Sequence, residues 1–179
     1  MSTPKITVID EHDCFGQIKE FVSANPQIIK PKYFIAPNKN FLQSMTKICL
    51  QSNLVIIHRH IWLDDCHKND KPCQQIVAEL KKQIAPIPII EVGGDAVDAK
   101  RCPSDMLAAF TQIAIAVKNL GTLIGAQVSH PSPAYNGGLM TVSKIEMLGN
   151  GTIGATLKNN TGEERKYYSL QNLSAYATN

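Results

Sequence analysis

The sequence has no stretch of roughly 18 uninterrupted apolar residues, the length a membrane-spanning helix needs. Its first residues, Met1 to Asp13, also lack the basic start and apolar run of a secretory signal, so a soluble, cytoplasmic protein is the expectation. Charge of one sign is in short supply. Eighteen Lys and Arg stand against 15 Asp and Glu, and a formal net charge of +3 is too small to argue for a dedicated nucleic-acid binder or a basic membrane-surface protein. The five cysteines, Cys14, Cys49, Cys66, Cys73 and Cys102, are odd in number and follow no framework spacing, which argues for reduced thiols over disulfide staples. There is no P-loop, no dinucleotide fingerprint and no Ser-His-Asp arrangement. What is present, 44% hydrophobic residues in a chain of 179, can bury one sizeable core and a small appendage.

The first 130 residues alternate between two kinds of apolar pattern. Residues 5–9, 33–36, 54–57 and 87–92 read as short strands, and 54–57 is apolar on consecutive positions, as expected of a strand covered on both faces. Between them lie amphipathic stretches of helical period. One carries Phe15, Ile18, Phe21 and Val22 and stops at Asn25-Pro26; another, capped by Asn38, carries Phe41, Leu42, Met45, Ile48 and Cys49. A third opens at Pro72 and carries Ile76, Val77, Leu80 and Ile84. The strongest opens at Pro103-Ser104-Asp105, keeps Met106, Leu107, Phe110, Ile113, Ala114, Val117 and Leu120 in phase, and ends at Gly121. An apolar run from Thr122 to Val128 reads as a fifth strand. Parallel strands need crossover helices of this length, so the pattern predicts an α/β domain over residues 1–130: a flavodoxin-like, doubly wound, five-stranded parallel sheet.

The composition then changes. Residues 131–138 form a turn-rich linker, and residues 139–179 read as a small antiparallel β module with strands near 139–147, 152–157 and 165–170. Asn150-Gly151 and Thr161-Gly162 supply the hairpin turns, and an SH3-like barrel is one way to close such a module.

Three segments of the first half resemble the receiver domain of bacterial response regulators. Ile6-Thr7-Val8-Ile9-Asp10-Glu11-His12 is similar to that family's first strand and acidic pair. Asn53-Leu54-Val55-Ile56-Ile57-His58 is similar to its third strand, and Ile87-Pro88-Ile89-Ile90-Glu91-Val92-Gly93-Gly94 to its fourth strand and switch loop. The resemblance covers roughly residues 5–95. It implies a magnesium ion on the acidic pair, a phosphorylated aspartate ending the third strand, and a hydroxyl residue and a lysine that report the new charge. This chain departs from the pattern at each of those last three places, with His58, Gly93 and, if His130-Pro131 is aligned there, His130. Asp10 and Glu11 would give magnesium at most two of the oxygens its octahedral site needs. The resemblance therefore implies a phosphorylation-incompetent pseudo-receiver, a regulatory protein of signal transduction that works through protein-protein contacts and not through catalysis.

Several residues are candidates for chemistry. Asp10 and Glu11 with His58 form an acidic pocket at strand ends, where open α/β sheets place their ligands. The segment His58-Arg59-His60-Ile61-Trp62-Leu63-Asp64-Asp65-Cys66-His67, with Cys73 beyond it, concentrates metal-ligating side chains, and His58, His60, Asp65, Cys66 and His67 would be the ligands of a metal-binding protein or metal-dependent hydrolase. On a strand, His58 and His60 point to one face, although the spacing matches no established metal motif. The bland alternative is a solvated loop that docks through Ile61, Trp62 and Leu63. Gly93-Gly94-Asp95 with Lys100 and Arg101 would suit a phosphate, or be a tight strand-to-helix connection. In the β module, Lys144, Lys158, Arg165 and Lys166 with Tyr167, Tyr168 and Tyr176 have the flavour of a single-strand-binding barrel, diluted by Glu146, Glu163 and Glu164. Trp62, Tyr167 and Tyr168 are the expected interaction surface. No cofactor is expected, a divalent metal (magnesium or zinc) being the one these side chains admit. A protein partner or a homodimer is expected in preference to nucleic acid, and no membrane.

Overall fold

The structure is a computed structural model that describes residues 3–10, 15–35, 41–58, 73–93, 103–130 and 138–176. Its chain divides into two compact units. One comprises Lys5–Pro26 and Lys30–Ala108, the other Ala109–Asn179 with Met1–Pro4 and Gln27–Ile29.

The first unit is built on a parallel sheet. Its strands are β1 (Ile6–Asp10), β2 (Lys32–Ile35), β3 (Leu54–His58) and β4 (Ile89–Val92), in the order β2-β1-β3-β4. Helices α1 (Gly16–Ala24), α2 (Phe41–Cys49) and α3 (Cys73–Ile84) make the crossovers, and α4 (Pro103–Leu120) follows β4. Each residue of the two central strands, β1 and β3, is buried, which is why their sequences are apolar without alternation. The in-register pairs Ile6 with Leu54, Thr7 with Val55, Val8 with Ile56 and Ile9 with Ile57 sort those side chains onto two faces. One face, with Ile9, Val55 and Ile57, shares a core with Met45 and Cys49 of α2 and with Val77, Leu80 and Ile84 of α3. On the other, Val8 neighbours Tyr33 of β2, whose ring meets Phe15 at the entrance of α1 with centroids 5.0 Å apart. Thr7 and Asp10 are the polar exceptions in β1, and the Thr7 hydroxyl shares a 2.6 Å hydrogen bond with Ser52. The first helix ends as expected at Asn25, whose amide nitrogen donates to the Phe21 carbonyl and so serves one of the terminal acceptors.

The fifth strand of the parallel sheet is a correction. The apolar run after α4 forms β5 (Gln127–Ser129), and it pairs antiparallel with β6 (Leu139–Met147), leaving four described strands in the parallel sheet. Gly121 and Gly125, at φ +73° and +84°, turn the chain between α4 and β5, a backbone conformation that suits glycine. A three-residue strand with one buried apolar side chain, Val128, satisfies either sheet equally well. The hairpin partner ten residues away closes a shorter loop than any strand of the parallel sheet does.

The second sheet is an antiparallel meander, β5-β6-β7-β8, with β7 at Ile153–Lys158 and β8 at Glu164–Ser169. At the β6–β7 turn the Asn150 side chain accepts from Thr152 N, and at the β7–β8 turn Asn159 accepts from Thr161 N and Glu163 N. The register shifts between Val142 and Lys144, with the extra residue in β6, and opposite Ala155 to Leu157, with the extra residue in β8. A 3-10 turn at Leu170–Asn172 then brings the chain back, with Leu170 and Leu173 buried. Ala175 bridges Val128, Tyr176 N donates to Gln127 O at 2.9 Å, and Ser129 N to Ser174 O at 3.4 Å. The free edge of β5 is thus covered by the chain that leaves β8, and the meander curls on itself. The later turns of α4 belong to this unit. Gln112 donates to Gly151 O at 3.1 Å and accepts from Ile153 N at 2.9 Å, fixing the β6–β7 turn.

Candidate functional site

Beyond the last pair of the β1–β3 ladder, Ile9 with Ile57, the next rung is Asp10 beside His58. Asp10 also pairs with Ile35 and His58 with Val92, so one row across the carboxyl ends of the sheet reads Ile35, Asp10, His58, Val92. Residues paired in a parallel ladder project to the same face, and adjacent strands lie about 4.8 Å apart, which makes the carboxylate and the imidazole lateral neighbours. Strand order reverses between β1 and β3: the chain proceeds outward to β2 on one side and to β4 on the other. That reversal is the position where open α/β sheets hold ligands.

Both side chains are out of water, Asp10 at 1% exposure and His58 at 2%. Neither is without a partner. A carboxylate beside an imidazole can form a charge-assisted hydrogen bond, orient the ring, or hold a cation between them. The described residues contain no group of three or more His, Cys, Asp or Glu side chains placed to hold a metal ion. Of the expected pocket, then, Asp10 and His58 are brought together. Glu11 lies outside the described residues, as do His60, Trp62, Asp65, Cys66 and His67. Gly93 follows β4 with φ +102°, while Gly94, Asp95, Lys100 and Arg101 lie outside the description.

His130 does not occupy a strand of the parallel sheet, so its alignment with a lysine of the receiver pattern is corrected. It follows β5 in the second unit, 7% exposed, and its Nε2 lies 3.3 Å from the Tyr168 hydroxyl with the rings edge to face. Tyr168 is therefore half-buried against His130. Tyr167 lies in β8, and its side chain, like that of Lys166, is outside the description. Lys144 is paired with Glu146 and Arg165 with Glu163, each at 2.6 Å and exposed to solvent.

One feature had no sequence signal and a second had only part of one. Lys19 places its ammonium 5.7 Å from the Phe15 ring centroid and 5.3 Å from that of Tyr33, and burial raises the Tyr33 phenol above its ordinary value. Cys49 was legible as a core position, but not the strength of its burial, which pushes the thiol from 9.0 up to about 11 and keeps it protonated and inert. Among the described residues no helix is long and apolar enough to cross a membrane. No family model matches the chain, and neither a curated protein nor a solved structure matches it.

Proposed function

We propose that this chain is a non-catalytic regulatory protein, a receiver-like α/β unit that has lost phosphoryl transfer and acts through protein-protein contacts, followed by an SH3-like β unit. The observation that carries the reading is the rung formed by Asp10 and His58 at the reversal of strand order in a β2-β1-β3-β4 sheet. A carboxylate in place of His58 would offer an oxygen nucleophile and a hard ligand for magnesium. An imidazole offers neither, and beside Asp10 it would serve as a hydrogen-bond donor to the carboxylate. The meander, the 3-10 turn and the return of Ala175 to Val128 support the SH3-like reading of the second unit.

The test uses the full chain. Incubated with magnesium and acetyl phosphate, it should gain no phosphoryl group by intact mass. A partner recovered by crosslinking in its own cell should be retained by the Asp10→Asn/His58→Asn double variant. Phosphorylation of the wild type, or loss of the partner by a double variant whose circular dichroism is unchanged, would overturn the proposal.

A second reading, a metal-binding protein, is favoured by the same juxtaposition, because a carboxylate and an imidazole on one face are two ligands of a borderline metal such as zinc. Elemental analysis of protein purified without a metal-binding tag separates the two. About one equivalent of zinc, reduced by His58→Asn, would move the assignment to metal binding; absence of metal after metal-replete growth would sink it.

A further inference from the structure

We draw no further inference here: the strongest candidate, the shallow surface groove between α2 and α3 lined by Leu42, Thr46, Lys47, Leu50 and Gln83, carries nothing because no feature of the described residues shows what covers it.

Discussion

Asp10 and His58 should behave as one energetic unit, and a double-mutant cycle measures it. At 1% and 2% exposure, water cannot replace a partner that mutation removes. Asp10→Asn and His58→Gln both keep much of the volume, so the cavity contribution stays small and the loss is electrostatic. Leaving one buried polar group imperfectly paired costs about 1–3 kcal/mol, rising to about 3–5 kcal/mol where the pair is ionised. Each single variant should therefore lose about 1–3 kcal/mol at least. The double variant should lose less than the sum, with a coupling of about 0.5–3 kcal/mol, since the second substitution removes a group already deprived of its neighbour. For a chain of this size each kcal/mol corresponds to roughly 2–4 °C in Tm. Calorimetry and urea unfolding followed by circular dichroism give the four corners. Additivity within about 0.5 kcal/mol would refute the claim that the rung is an interacting pair. A variant more stable than wild type would refute it differently: it would mark the rung as a strained, ligand-directed site and strengthen the metal reading.

Other outcomes follow from single contacts. Because the Cys49 thiol is raised in the fold from 9.0 to about 11, the unfolded chain ionises first as pH rises. This group's contribution to stability is therefore constant below pH 9 and falls between 9 and 11, at up to about 1.4 kcal/mol per pH unit. Cys49→Ala, measured under reductant, should lose that slope while keeping its deficit from the lost core packing; parallel wild-type and variant curves would contradict the assignment. Gln112→Ala leaves Ile153 N without its side-chain acceptor and should cost about 1–3 kcal/mol. Hydrogen exchange at the Ile153 amide should accelerate, and unchanged exchange would count against the contact. Tyr168→Phe removes the hydroxyl 3.3 Å from His130 Nε2 but keeps the ring, so it should cost about 0.5–1.5 kcal/mol, and Tyr168→Ala distinctly more. No loss in Tyr168→Phe would show that the hydroxyl contributes nothing. Met45→Ala, at a position with no exposed surface in the core between the sheet and α2, should cost about 2–5 kcal/mol by thermal unfolding.

The parallel sheet was legible because burial on both faces leaves a local mark. The unbroken apolar runs of β1 and β3, and the helical phases carrying Ile18, Met45 and Leu80, each report their own environment without reference to a distant partner. The hairpins of the second sheet were legible for a similar reason. Asn150-Gly151 and the Asn159 to Gly162 segment satisfy their turns with their own side chains and backbones. β5 was not legible. Its three residues carry one buried apolar side chain, Val128, and nothing in that pattern chooses between the end of a parallel sheet and the start of a meander. The deciding partners are Met140, twelve residues on, and Ala175, forty-seven residues on.

The candidate site divides along the same line. That Asp10 and His58 end strands could be read from where each apolar run stops. That they share a rung depends on register, which the ladder sets through Ile6 with Leu54 and carries upward one residue at a time to Ile9 with Ile57. The consequence for function is specific. A one-residue slip of β3 would turn His58 to the opposite face, toward the α2 and α3 core, and place Ile57 beside Asp10. The buried carboxylate would then face an aliphatic side chain, and the two large apolar faces would exchange. The fully buried Ile56 and Ile57 make that slip expensive in both directions. The carboxylate–imidazole neighbourhood is therefore held by the hydrophobic register of the sheet, which places it where the strand order reverses whether or not the two groups attract one another.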